Sequence, residues 1–319
     1  MTSLKAQQGE LLPYYWLDGK LCHHDEHGVP TVPTFSQAMD YSVVLIDGIR
    51  ANVTRKGVFG FRFKDHVKRM LDGWKQMNLK CDLSEKQVLK GLVECVEKNF
   101  QYLKGKRELQ SIYIRPKMYH SDPVVKPFYG HDTHVVIECF PFGNYLPAGG
   151  ISATVADFVR AGRYSHYPVK GMGKYPEYGM IRESANGKYD DVFQLGLGKG
   201  GKLIFTEGTT SNLFFVKNGQ LLTPGSGDFI LNGITRDSVL KMAKFLKIPV
   251  REGEVTLSDG LESEEIFVTG TASFIGPVTQ LGRYKLGIGP VTKKLAALFD
   301  KVREGQVKEF AHWLTPFNV

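Results

Sequence analysis

Hydrophobic and polar positions recur along this chain with two different periods, and the switches between them mark its elements. Tyr14 to Leu21 reads as a hairpin turning at Asp18-Gly19. Gly48–Thr54 and Val58–Phe63 read as a second, joined through Arg55-Lys-Gly57. From Lys64 to Asn78 the period lengthens to that of a helix, with Val67, Met70, Trp74 and Met77 on one face. Ser84-Glu-Lys-Gln87 has the form of a capping box and predicts a further helix to Tyr102. Strands are predicted at Ser111–Arg115 and Thr133–Phe140.

Gly143 to Gly150 concentrates glycine and proline, which predicts a linker there. The expected organisation is a small N-terminal domain over 1–142, a linker over 143–150 and a larger C-terminal domain over 151–319. In the second domain strands are predicted near 151–158, 191–196, 202–206, 212–216, 219–223, 250–255, 265–269 and 276–281. Lys217-Asn218-Gly219 is a strong hairpin signal, and helices fit 176–187, 235–246 and 291–305. Strands outnumber helices in both halves, and the hairpins imply antiparallel pairing. This predicts two α+β domains with no internal repeat.

Composition narrows the class. With 42% hydrophobic and 23% charged residues the chain is globular rather than disordered, and its 35 Gly and 15 Pro have no triplet period. The longest apolar runs, Val43–Ile46 and Val135–Ile137, are far short of the ~20 residues that span a bilayer. No apolar segment follows Met1, so no secretory signal is predicted and a cytoplasmic location is expected. The net charge of +8 is spread along the chain without a run of basic residues. That pattern suits an enzyme of anionic ligands better than a nucleic-acid binder. The four cysteines, Cys22, Cys81, Cys95 and Cys139, form no C-x-x-C and read as reduced thiols.

Two motifs tempt and fail. Gly196-Leu-Gly-Lys-Gly-Gly201 satisfies G-x-G-x-x-G, and with Lys202 it nearly spells a Walker A. A strand rather than a helix is predicted after it, and Leu203 stands where magnesium would need a hydroxyl, so it reads as a hairpin turn. His23-His-Asp-Glu-His27 sits beside turn residues and reads as a solvated polar turn, so no metal is expected.

Other segments converge. Asn232-Gly-Ile-Thr-Arg-Asp237 opens an amphipathic helix, whose N-terminal N–H groups suit a phosphate. Thr269-Gly-Thr-Ala-Ser273 closes a strand with a small-residue turn, Glu207 stands at a strand end, and Lys170 lies in a run of small and aromatic residues. A phosphate cradle, a carboxylate and a lysine are what pyridoxal phosphate requires.

In this order the segments resemble the fold type IV pyridoxal phosphate enzymes (the D-amino acid aminotransferase-like fold), particularly the branched-chain amino acid aminotransferases. The resemblance runs from Tyr41 to Phe299. It rests on Ile46-Asp-Gly-Ile-Arg50, Phe63-Lys-Asp-His66-Val-Lys-Arg69, Tyr113-Ile-Arg-Pro116, Lys170 to Tyr175, Thr206-Glu-Gly208, Gly233-Ile-Thr-Arg-Asp237, Thr269-Gly-Thr-Ala272 and Gly289-Pro-Val-Thr-Lys-Lys294. It implies an antiparallel or mixed sheet in a C-terminal cofactor-binding domain. Lys170 then binds the cofactor covalently and shuttles the proton. Tyr175 bonds its phenolic oxygen, and Glu207 pairs with its ring nitrogen. Arg69, Ile234, Thr235 and Thr271 hold the phosphate. Tyr41, Arg115 and Tyr145 line the substrate pocket, with Thr271 and Ala272 beside the substrate carboxylate.

The activity implied is transfer of an amino group between a branched-chain or other hydrophobic L-amino acid and 2-oxoglutarate, by a homodimer or larger assembly. Lys174 stands where the family usually has Asn, but the spacing to Tyr175 favours Lys170 as nucleophile. Gly208-Thr-Thr-Ser-Asn212 resembles the D-amino acid branch, whereas that branch's Arg-x-His near residue 115 is absent. A D-amino acid or (R)-amine transaminase is therefore the enzymatic alternative. A basic nucleic-acid-binding protein is the non-enzymatic one.

Overall fold

The computed structural model describes residues 10–104, 110–147, 149–159, 169–184, 187–226 and 230–317. The N-terminal stretch read above for a signal, Ala148 of the linker and the end of the helix expected over 176–187 lie outside the described residues. The chain clusters into two units: Met1–Gly143 with Val169–Gly173 and Lys301–Val319, and Asn144–Pro168 with Lys174–Asp300. A single division at 143–150 would give both returning segments to the second domain. They belong to the first because Leu314–Phe317 pairs antiparallel with Gly57–Phe61, and Gly171 bridges Leu45. With them the first unit is no smaller than the second.

The first unit contains strands β1 (Tyr14–Leu17), β2 (Lys20–His23), β3 (Val44–Ile46), β4 (Ile49–Thr54), β5 (Gly57–Phe61), β6 (Ser111–His120) and β7 (Thr133–Phe142). Its helices are α1 (His24–His27), α2 (Gln37–Tyr41), α3 (Phe63–Gln76) and α4 (Glu85–Leu103). Among the described residues these strands and the C-terminal strand Leu314–Phe317 form an eight-stranded sheet. Its order is C-terminal strand–β5–β4–β6–β7–β1–β2, with β3 also on β6. The first hairpin turns at Asp18-Gly19 with φ of 47° and 98°. Positive φ at both positions matches the right-handed twist of the flanking strands. Ser84 and Gln87 cap α4 reciprocally, as their spacing predicts. Val67, Met70 and Trp74 of α3 join Val88, Leu92 and Val96 of α4 in one core with Ile49, Ile112, Ile114 and Ile137 of the sheet. Trp74 is fully buried, and truncating such a side chain to Ala typically costs ~3–5 kcal/mol.

Strand β6 runs past the expected Arg115 to His120, straight through Pro116. The carbonyl of Pro116 accepts the Asp47 N–H at 3.0 Å, so its ring nitrogen also faces the side occupied by β3 and β4. There β3 gives way to β4, leaving Asp47-Gly48 in the gap, and the missing proline N–H costs no ladder bond.

The second unit contains β8 (Ile151–Val159), β9 (Asp191–Leu197), β10 (Leu203–Phe205), β11 (Asn212–Lys217), β12 (Gln220–Pro224), β13 (Val250–Gly253), β14 (Val255–Thr256), β15 (Glu265–Gly270), β16 (Phe274–Leu281) and β17 (Tyr284–Lys285). Its helices are α5 (Tyr175–Ser184), α6 (Ile234–Phe245), α7 (Leu257–Leu261) and α8 (Pro290–Arg303), of which the last three residues count with the first unit. The ten strands form one mixed sheet among the described residues, in the order β13–β12–β11–β15–β16–β8–β9–β10–β14, with β17 on β16. Three pairs, β12–β13, β16–β8 and β8–β9, are parallel. Leu213 and Phe215 alternate inward from β11 onto Phe193, Phe205, Ile266 and Val268. The fold is α+β, with an α/β N-terminal unit and a mixed-sheet C-terminal one.

Candidate active site

In the first unit chemistry gathers at the gap between β3 and β4. Asp47 is 1% exposed. Its Oδ2 accepts Arg69 Nε at 3.1 Å, and its two oxygens accept Arg69 Nη2 at 2.6 and 2.8 Å. His66 Nδ1 lies 3.0 Å from Asp47 Oδ1. His66 and Arg69, three apart on α3, present themselves on one helix face to reach the same carboxylate. The backbone allows the approach because residue 48 is glycine: a Cβ there would lie 1.9 Å from Tyr113 Oη. Burial opposes charge on Asp47, but Arg69, then His66 and Lys170, outweigh it and hold the carboxyl well below the usual range. Burial pushes His66 down against the pull of Asp47, with Arg69 and Arg62 adding to the push, which favours its neutral imidazole.

Lys170 is attached to this cluster through its backbone. Its carbonyl accepts the Ile46 N–H at 3.1 Å, and Gly171 bridges Leu45 antiparallel. The side chain keeps part of its surface accessible yet is densely surrounded by protein. Burial lowers the pKa of its ammonium, Arg69 and Arg115 lower it further, and Asp47 and Tyr113 raise it. A lysine depressed in this way holds more of the free amine that attacks a carbonyl.

Tyr113, Arg115 and Lys117 alternate along β6 and share one of its faces. The Arg115 guanidinium lies 5.2 Å from the Tyr113 ring centre. Lys117 forms an ion pair with Glu138 of β7. Tyr41 ends α2, half-buried against the first core.

The second unit carries the other predicted residues. Glu207 is 6% exposed. Its backbone bridges Asn212, its carbonyl accepts the Gln194 N–H at 2.9 Å, and its Oε2 accepts the Leu231 N–H at 3.0 Å. Asn212 Nδ2 donates to the Leu231 carbonyl at 2.9 Å, so one turn is held from both sides. Gly233, the N-cap of α6, lets that turn close, since a Cβ there would meet Asn212 Oδ1 at 2.0 Å. No side chain caps α6, and Ile234 and Thr235 begin it buried. Thr271 and Ala272 lie half-buried in the turn between β15 and β16, next to a buried Thr269 Oγ1 that makes no hydrogen bond. Tyr175 opens α5 with its ring 5.5 Å from that of Tyr178. Tyr145 is 42% exposed in the segment between β7 and β8.

Gly196 and Leu197 end β9, and the chain turns into antiparallel β10 through a single 3₁₀ turn at Lys199–Gly201, with no α-helix following to receive a pyrophosphate. His23–His27 ends β2 and forms the single-turn α1, and no metal-binding cluster occurs among the described residues. Asp47 and His66 went unselected by the sequence reading. The signal was present in the i, i+3 spacing of His66 and Arg69, but an acid to receive both is visible only in the folded sheet.

This fold and these residues define a pyridoxal phosphate-type aminotransferase framework. Residues 45–281 match the family described as amino-transferase class IV, and the chain belongs to that family. Over its whole length it is 31% identical to the full length of a branched-chain-amino-acid aminotransferase of Salmonella typhimurium. A solved branched-chain aminotransferase of Thermoproteus uzoniensis, with norvaline, is 30% identical, with TM-score 0.85 over 96% of this chain and 99% of that one. The T.th. branched-chain amino acid aminotransferase complexed with N-(5'-phosphopyridoxyl)-L-glutamate is 26% identical, with TM-score 0.84 over 96% and 99%.

Proposed function

We propose that this chain is a pyridoxal phosphate-dependent transaminase moving an amino group between a branched-chain or other hydrophobic L-amino acid and 2-oxoglutarate. The observation that carries the reading is Lys170, a depressed amine fixed beside an ionised Asp47–Arg69 pair in a chain of this family. The residues present fit the cofactor. An arginine and an uncapped helix start suit its phosphate, an anchored carboxylate suits its ring nitrogen, and a depressed lysine suits its aldehyde. When bound, pyridoxal phosphate supplies a carbonyl for the incoming amine and a ring that takes up the electrons released at Cα.

The chain's own groups do the rest. Lys170 Nζ would hold the cofactor through its aldehyde carbon and, once freed, would move the proton at the substrate's Cα. Glu207 would hold the ring nitrogen in its protonated form, and Tyr175 would donate to the phenolic oxygen. Arg69 and the N–H groups of Ile234 and Thr235 bind the phosphate with the Thr271 hydroxyl. Thr271 and Ala272 receive the substrate carboxylate, and Tyr41 and Tyr145 line the side-chain pocket. Arg115 pairs with the second carboxylate of glutamate.

We also infer a homodimer or larger assembly in the cytoplasm, without nucleic-acid binding. The family resemblance supports the assembly, and the scattered charge speaks against a nucleic-acid partner. No helix among the described residues is long and apolar enough to cross a membrane. The Gly208–Asn212 segment keeps a D-amino acid or (R)-amine transaminase as the second reading.

Borohydride reduction of the purified holoenzyme followed by peptide mapping should place the cofactor on Lys170, and Lys170→Ala should abolish both the visible absorption and turnover. Label on Lys174 refutes the assignment. A donor panel active only with D-alanine or an (R)-amine refutes the L-amino acid reading and leaves the cofactor chemistry intact.

A further inference from the structure

We infer that Asp47 and His66 are a positioning pair that sets how readily Lys170 takes up a proton, an inference that rests on Lys170 being the reactive amine. Its basis is geometric. Asp47 sits in the gap between β3 and β4, and the Lys170 backbone is hydrogen-bonded to Ile46 and bridged to Leu45 in the same ladder. Lysine and carboxylate are therefore fixed to one stretch of main chain.

An ionised Asp47 can only accept hydrogen bonds, so His66 must donate from Nδ1, which fixes the tautomer with Nε2 unprotonated. His66 is 2% exposed, and its Nδ1 meets the same Oδ1 that Arg69 Nη2 holds, so this oxygen is gripped from two residues of α3. With Gly48 N–H donating to Oδ1 at 2.6 Å, the carboxylate has no room to turn.

The charges explain what the arrangement is for. Facing Lys170 are Asp47, Arg69, Tyr113 and Arg115. Two guanidinium groups favour the neutral amine needed to attack a carbonyl. Asp47 is the full negative charge among those groups, and it favours the ammonium needed to deliver a proton. A lysine that must do both in one cycle needs these influences nearly balanced, and small rotations of Asp47 would upset the balance. His66, itself faced by Asp47, Arg69 and Arg62, opposes the rotation together with Arg69 and the Gly48 N–H.

The test reads Lys170 directly in the cofactor-free full chain. The rate of acetylation of Lys170 by acetic anhydride is followed against pH by peptide mass spectrometry, giving a titration midpoint for each variant. Asp47→Asn should lower the midpoint by about one pH unit or more, because a neighbouring opposite charge is lost. His66→Leu should lower it partway. His66→Asn, whose amide N–H takes the place of Nδ1–H, should leave it near the wild-type value. Where Asp47→Asn does not fold, the contrast between the two His66 variants carries the test alone. Equal midpoints in wild type and all variants, or equal shifts in His66→Asn and His66→Leu, would overturn the inference. The experiment contains no cofactor, so a holoenzyme that fails the transamination assay leaves its outcome readable.

Discussion

Replacing Glu207 by Gln separates what this carboxylate does for the fold from what it does for the reaction. The side chain is almost wholly buried, and one oxygen accepts the Leu231 N–H at 3.0 Å. Glutamine has the same length and keeps a carbonyl oxygen for that bond, while its backbone stays pinned by Gln194 and Asn212. The fold loses only the difference between a charged and a neutral acceptor, about 1 kcal/mol. The reaction loses more, because a neutral amide cannot hold the ring nitrogen protonated. Removing one preorganised electrostatic contact of this kind costs ~10²–10³ in rate, about 3–4 kcal/mol. Steady-state kcat with leucine and 2-oxoglutarate, with bound cofactor measured by its visible absorption, gives the two quantities separately. The expected result is near-normal cofactor content with kcat reduced at least a hundredfold. A kcat within a factor of two of wild type would refute the role, and loss of the cofactor itself would make Glu207 a binding group instead.

Arg69→Ala should lower pyridoxal phosphate affinity by about one to two powers of ten, since a charge-assisted phosphate contact contributes roughly 1.5–3 kcal/mol. Excess cofactor should restore much of the activity, and unchanged affinity by fluorescence titration would remove Arg69 from the site. The same variant should also melt lower, because it strips a buried Asp47 of its bidentate partner. Arg115→Met should raise KM for glutamate and 2-oxoglutarate far more than for leucine or valine, by an ion-pair loss of ~2–5 kcal/mol. Half-reactions followed by stopped flow decide this, and parallel losses on both donors would mean that Arg115 only shapes the strand.

Most local structure was legible because its signals are local. Asp18-Gly19 and Asn218-Gly219 turn hairpins through their own dihedral preferences, and Ser84 with Gln87 closes a cap within four residues. What escaped depends on neighbours distant in sequence. The strand expected to end at Arg115 runs on through Pro116 because the gap beside it requires no N–H there. Leu314–Phe317, with Pro316 inside it, becomes a strand only as the outer edge beside β5. The parallel contacts of β8 with β9 and β16 leave no mark on periodicity. The site followed the same rule. Lys170, Glu207 and the Gly233–Thr235 helix start announce themselves as short segments. Asp47 reads as one acid in a turn until α3 and Lys170 are brought to it.

The way Lys170 is held also bears on how this segment can change over evolutionary time. Its position is fixed by a main-chain carbonyl and the neighbouring Gly171 bridge, both of which lean on the backbone of β3. Backbone groups are the same in every residue except proline, so selection acts weakly on the identities of the lysine's neighbours. The segment can therefore accept a second lysine at 174 while the Lys170 backbone stays registered to β3. Side-chain identity should then be less constrained around Lys170 than along the strand that holds it.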